Sequence, residues 1–145
     1  MAPPDEKRRM WRGGSRKARV PENSKICVID DDESVREALR SLLKSVGFEA
    51  EVFASAEDFL GSGHLPGTCC LILDVRMPGM SGFELHEQLI ADDEQVPIIF
   101  VSAHADEEAR ARALRSGAVD FLLKPFSDEA LLHAIETAMR LKHSP

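Results

Sequence analysis

Four places in this 145-residue chain set a reactive side chain directly after a short apolar run. Ile26–Ile29 leads into Asp30-Asp31-Asp32, Cys69–Leu73 into Asp74, Ile98–Val101 into Ser102, and Val119–Leu123 into Lys124. If the runs are neighbouring parallel strands, their carboxyl ends gather Asp30, Asp31 and Asp74 with a hydroxyl and an ammonium in one crevice. Converging carboxylates repel and raise one another's pKa unless a cation sits among them. Oxygen donors with room for water suit a hard divalent ion, magnesium first. Ser102 and Lys124 would then complete a site able to neutralise the equatorial oxygens of a transferring phosphoryl group. Singly, each residue is ordinary: a serine after a strand commonly caps a loop, and a lysine is commonly a surface charge. Asp32 and Glu33 read as cap residues of the following helix.

The elements that must position these residues follow from the hydrophobic pattern. Beyond the four runs, Ala50–Phe53 is a further strand candidate. Between the strands lie stretches with apolar spacing of three and four. They are marked by Val35, Leu39, Leu42, Leu43 and Val46; by Phe59 and Leu60; by Phe83, Leu85, Leu89 and Ile90; by Ala109, Ala113 and Leu114; and by Ala130, Leu131, Ala134, Ile135, Ala138 and Met139. Ser55 and Ser127 stand where helices should begin, and Gly47 and Gly117 where the first and fourth should end. Alternating strands and helices predict an α/β fold with a doubly wound, five-stranded parallel sheet and five helices. The first, third and fourth strands are continuously apolar and belong in the centre. Glu49 and Glu51 interrupt the second, and Asp120 the fifth, so these belong at the edges, giving the order 2-1-3-4-5.

The net charge is −7, unevenly spread. Residues 1–25 hold eight Lys/Arg against three Asp/Glu, whereas the remainder holds ten against twenty-two. An acidic folded part argues against nucleic-acid binding by the core. Residues 1–24, rich in Pro, Gly, Ser, Lys and Arg, are expected to be a disordered basic arm, with the folded domain at 25–142. No apolar run reaches the roughly 18–20 residues that cross a bilayer, and no apolar stretch follows Arg8-Arg9 to make an export signal, so a cytoplasmic location is expected. Cys27, Cys69 and Cys70 lie in apolar runs and read as buried thiols, with Cys69 and Cys70 on opposite faces of their strand. The histidines 64, 86, 133 and 143 show no ligand spacing. Met77 and Met80, flanking Pro78-Gly79, read equally as loop packing or as a partner-facing surface.

The chain resembles the receiver domains of two-component response regulators. The resemblance rests on the acidic pair in ICVIDDDESVREAL, the segment LILDVRMPGMSGFEL, the hydroxyl in IIFVSAHAD and the lysine in GAVDFLLKPF, and it covers roughly residues 25–142. It is closest to receivers of the nitrogen-fixation and nitrate-response regulators, and it implies a flavodoxin-like receiver fold. Asp74 is then the phosphoacceptor, and Asp30, Asp31, Asp74 and the backbone carbonyl of Arg76 the ligands of Mg2+, for which Mn2+ can substitute. Ser102, in place of the commoner threonine, and Lys124 would contact the phosphoryl group, and Lys124-Pro125 would be a cis peptide. Phe121 falls at the family's aromatic switch, and Arg76 and His104 at positions that tune hydrolysis of the acyl phosphate. On phosphorylation, Ser102 and Phe121 would be drawn inward and the surface of the fourth helix, fifth strand and fifth helix would change.

The expectation is therefore a single-domain response regulator, a signalling phosphoacceptor rather than an enzyme, which assists its own phosphorylation and dephosphorylation. Its partners would be a histidine kinase or phosphotransfer protein, an unknown downstream protein, and a second copy through the switch surface. Three rivals remain. An aspartyl phosphatase usually places an acid two residues after its nucleophile, where this chain has Arg76. A receiver-like adaptor would act without phosphorylation. The chain could also be the receiver fragment of a longer DNA-binding regulator.

Overall fold

The computed structural model describes residues 25–104 and 106–142; the basic arm expected at 1–24 lies outside them. Five parallel strands, β1 (Lys25–Ile29), β2 (Glu49–Phe53), β3 (Thr68–Asp74), β4 (Ile98–Ser102) and β5 (Asp120–Leu123), form one sheet in the order β2-β1-β3-β4-β5. Between and after them run helices α1 (Glu33–Ser45), α2 (Ala56–Leu60), α3 (Gly82–Ala91), α4 (Glu107–Arg115) and α5 (Asp128–Lys142), with a 3-10 turn at Leu65–Gly67. The doubly wound architecture and the strand order are those expected from the apolar pattern.

Strand side chains alternate between two cores, one on each face of the sheet. Ile26, Val28, Ile72 and Val101 face α1 and α5, where Leu39, Leu43, Leu131 and Ile135 cover them. Cys27, Ile29, Leu73 and Phe100 face α2, α3 and α4, where Phe59, Leu85, Leu89 and Ala113 cover them. Because β1, β3 and β4 are covered on both sides, their sequences are apolar between the starts of β1 and β3 at Lys25 and Thr68 and the carboxyl ends, where Asp74 and Ser102 close β3 and β4 and Asp30 follows β1.

Caps hold the helices at the places expected. Asp32 accepts from the N–H groups of Ser34 and Val35, Ser55 from that of Asp58, and Ser127 from that of Ala130. Gly47 and Gly117 follow α1 and α4 at φ of 100° and 98°, a left-handed conformation that a Cβ would strain. One expectation fails. Register passes from Lys25↔Thr68 to Ile26↔Cys70, so Cys69 is the extra residue of a bulge, and it packs against the same core as Cys70 rather than on the opposite face. Burial pushes the thiols of Cys27 and Cys70 above their ordinary pKa, which keeps them protonated and unreactive.

Ile72 is fully buried in the central strand. Ile72→Ala should therefore lower the unfolding free energy by about 2–5 kcal/mol in urea titration; a loss below about 1 kcal/mol would mean that this layer is not close-packed.

Candidate functional site

The sheet ladder runs past the strand ends and fixes the site. Asp30 N–H donates to Phe53 O at 3.1 Å, Val75 N–H to Val101 O at 3.0 Å, and Lys124 N–H to Ser102 O at 2.7 Å. Backbone bonds thus set Asp30, Asp74, Ser102 and Lys124 side by side at the carboxyl edge, where β1 and β3 turn in opposite directions along the sheet.

Here Asp30, Asp31 and Asp74 each offer a carboxylate oxygen, all within 4.8 Å of one another. Asp30 is fully buried and Asp74 nearly so, whereas Asp31 is exposed. Lys124 Nζ lies 2.8 Å from Asp30 Oδ2 and 3.7 Å from Asp74 Oδ1. Asp30 Oδ1 accepts from the N–H of Asp32 at 2.9 Å. Asp30 Oδ2, although ion-paired with Lys124, has no hydrogen bond of regular geometry. A crevice of about 420 Å³ opens over the group, lined by Asp31, Asp74, Arg76, Ser102, His104 and Lys124 among others.

Electrostatics mark Asp74. Burial, then the charge of Asp30 and more weakly that of Asp31, pushes its carboxyl from 3.8 up to about 7, against the pull of Lys124 and of the Arg76 N–H. Burial acts to depress Lys124, but its bond to Asp30 and the charges of Asp74 and Asp30 outweigh that and raise it. Asp32, by contrast, is held low by the hydroxyl and backbone N–H of Ser34, as a helix cap should be. An acid cluster of three carboxylates that meets one ammonium, with no imidazole or thiol among its donors, fits a hard divalent cation.

Ser102 and Phe121 stand on β4 and β5. The Ser102 hydroxyl turns back on the next turn of chain, accepting from His104 N–H at 3.1 Å and donating to His104 O at 3.4 Å. Phe121 is 5% exposed, packed within the α2/α3/α4 core. A phenyl ring carries no hydroxyl to reward exposure, and burying it gains about 1.5–3 kcal/mol. The Arg76 guanidinium reaches away to Asp106 at 3.7 Å, and His104 is exposed at the crevice mouth. Lys124-Pro125 is cis, as expected.

A profile of the response regulator receiver domain matches residues 26–136. The chain belongs to the response regulator receiver family. Among curated relatives, the receiver is 49% identical over 118 residues to the response regulator protein TodT of Pseudomonas putida, covering 81% of this chain and 52% of that one. It is 44% identical over 117 residues to the transcriptional regulatory protein FixJ of Bradyrhizobium diazoefficiens, covering 79% and 56%. Among solved structures, response regulator StyR superposes with a TM-score of 0.77 at 50% identity, over 82% of this chain and 60% of that one. FixJ-N superposes at 0.75 with 35% identity, over 86% and 98%. The chain spans about half the length of the curated relatives it matches. Among the described residues, no helix is long and apolar enough to cross a membrane.

Reading by strand ends missed three residues that shape the receiver's site. Arg36 of α1 reaches back to donate to Asp30 O at 2.8 Å, a contact its charged type alone does not announce. Gly82 opens α3 so close behind the site that a Cβ there would lie 2.3 Å from Asp74 O. Glu57 of α2 accepts from Met80 N–H at 3.0 Å across the loop that follows Asp74.

Asp74 supplies a test by pH. Its folded pKa exceeds its unfolded value, so in metal-free protein its ionisation opposes folding progressively from pH 4 and fully above pH 7. Asp74→Asn is expected to be more stable than wild type at pH 8 without metal, on the order of 1–3 kcal/mol, with the gain shrinking as pH falls from 7 towards 4. Thermal melts across that range check it, and a gain that grows towards acid would contradict the assignment.

Proposed function

We propose that this receiver accepts a phosphoryl group on Asp74 from the phosphohistidine of a sensor histidine kinase or a phosphotransfer protein, in the cytoplasm. The observation that carries the reading is the meeting of the Asp30, Asp31 and Asp74 carboxylates within 4.8 Å, with Lys124 Nζ at 2.8 Å from Asp30 and 3.7 Å from Asp74. An Asp74 oxygen attacks phosphorus in line: the new P–O bond forms as the P–N bond breaks, and the histidine leaves with its electron pair and is protonated. The product is an acyl phosphate.

Asp30, Asp31, Asp74 and the Arg76 carbonyl would hold Mg2+, or Mn2+ in its place, which when bound supplies positive charge to keep Asp74 ionised and to offset charge on the phosphoryl oxygens. Lys124 stays paired with the product, replacing part of its contact with Asp30 by one to a phosphoryl oxygen. Ser102 exchanges its bonds to His104 for one to the same group, so the hydroxyl's resting partners lie on the β4–α4 turn that must respond. Arg76 and His104 flank the path by which water reaches the acyl phosphate and so tune its lifetime.

Downstream, the reading places output on the face of α4, β5 and α5. Leu114 of α4 and Leu123 of β5 are 42% and 45% exposed there, available to an effector protein or a second copy. Phosphorylation would change this face through Ser102, the β4–α4 turn and Phe121. The activity is that of a phosphoacceptor that speeds its own modification and its own hydrolysis.

The test is intact mass after incubation with acetyl phosphate. Wild type with Mg2+ should gain one phosphoryl group; wild type with EDTA, and Asp74→Asn with Mg2+, should gain none. No adduct on wild type, together with no binding of beryllofluoride, would overturn the proposal in favour of a phosphorylation-independent adaptor.

A further inference from the structure

The segment that follows Asp74, residues 75–81, is a loop closed at its base. Gly82 N–H donates to Val75 O at 3.0 Å, and because Gly82 has no Cβ the start of α3 can sit against the backbone of Asp74. Near one end of this loop, the backbone N–H of Arg76 favours the ionised Asp74 carboxylate. At the far end, Ser81 and Glu84 form a reciprocal cap, with Ser81 Oγ accepting from Glu84 N–H at 3.1 Å and Glu84 Oε1 accepting from Ser81 N–H at 2.8 Å. Met77 is buried beneath, in the core shared by α2 and α3.

Between these anchors lies the turn Pro78-Gly79-Met80, and a carboxylate from another element crosses to hold it. Glu57 Oε2 accepts from Met80 N–H at 3.0 Å, and the same oxygen would lie 2.8 Å from a Cβ at Gly79. Gly79 has φ of 76°, a backbone state in which a side chain is strained, so the residue serves both the turn and the approach of the carboxylate. An ionised acceptor on a backbone N–H is among the stronger hydrogen bonds. Glu57 stands 23 residues from Met80 in sequence, and its helix, five residues long, is itself anchored by Ala56 and Phe59 in the core.

We propose that Glu57 is a positioning residue for the phosphorylation site: through Met80 it holds the turn of the 75–81 loop, and thereby the Arg76 backbone, in the geometry that metal and phosphoryl group require. The inference rests on the reading of Asp74, Asp30 and Asp31 given above and adds α2 to the elements that build the site. Glu57 touches neither metal nor phosphoryl group. Its effect is to lower the number of conformations open to the loop before binding, so that less order has to be imposed when the ion arrives. Losing the bond frees the turn, weakens Mg2+ binding and alters the exposure of the acyl phosphate to water.

The experiment compares the full chain as wild type, Glu57→Ala and Glu57→Gln. Gln keeps an oxygen able to accept from Met80 N–H but removes the charge, whereas Ala removes both. Three quantities are read: Mg2+ affinity by calorimetry, acyl phosphate lifetime by intact mass, and exchange of the Met80 amide. Glu57→Ala is expected to bind Mg2+ about threefold to tenfold more weakly, the size of one lost hydrogen bond, to exchange Met80 faster and to change the acyl phosphate lifetime, while Glu57→Gln, which keeps a weaker neutral acceptor, loses clearly less than Ala. Equal loss in Ala and Gln would overturn the positioning role, because the effect would then be that of a distant charge. So would wild-type affinity and lifetime in Glu57→Ala. A wild-type chain that takes no phosphoryl group would overturn the reading of the site and the tether with it, whereas a phosphorylated wild type indistinguishable from Glu57→Ala overturns the tether alone.

Discussion

Repulsion among Asp30, Asp31 and Asp74 is the constraint around which the rest of the receiver is arranged. Carboxylates within 4.8 Å of one another, one of them fully buried, would not persist on a flexible surface, where they would turn apart into water. They persist because Asp30 and Asp74 end or follow strands whose ladders are closed on both sides, and Asp31 comes directly after Asp30. The Lys124 ammonium, held by its own ladder bond to Ser102 O, meets two of the three charges. What is left over is a deficit of positive charge at a defined place, which is what binding a cation and then a phosphoryl group can exploit. Stability is given up locally for function, and the apolar layers on either face of the sheet sustain the loss.

A site of this kind also needs backbone that is stiff where it contacts the ligand and adjustable where it reports. Stiffness comes from behind. Arg36 bonds the carbonyl of Asp30, Gly82 allows α3 to close against Asp74, and Met77 is buried under the loop. Adjustability lies on the β4–α4 side, where the Ser102 hydroxyl is committed to His104 by bonds that are easily exchanged. On the function proposed above, that hydroxyl would exchange these partners for an acceptor beside Asp74 and so act as a two-state element.

Much of this was legible in the residue pattern. Strand order followed from which runs were uninterrupted, because a central strand covered on both faces tolerates no charge while an edge strand does, and Glu49, Glu51 and Asp120 stand in the edge strands. Caps at Asp32, Ser55 and Ser127 were legible because capping is local, decided within four residues. The pattern failed where the deciding contact is distant. Alternation put Cys69 opposite Cys70, but a bulge against Lys25, 44 residues away, reversed it. Glu57, Arg36 and Gly82 were passed over because a glutamate, an arginine and a glycine at helix starts have many uses, and only the loop or strand end brought against them selects one.

By itself, then, the sequence determined the fold class, the order of the strands and the identity of the acids, hydroxyl and ammonium at their ends, since these depend on hydrophobic period and on local position. Tertiary structure alone decided the distances. It brought Lys124 Nζ to 2.8 Å from Asp30, turned Ser102 onto His104, set Glu57 against Met80, and raised the Asp74 carboxyl to about 7. Pattern reports which face a residue lies on, but charge interaction and hydrogen bonding change steeply over one or two ångströms, and that scale is set only when packed elements meet.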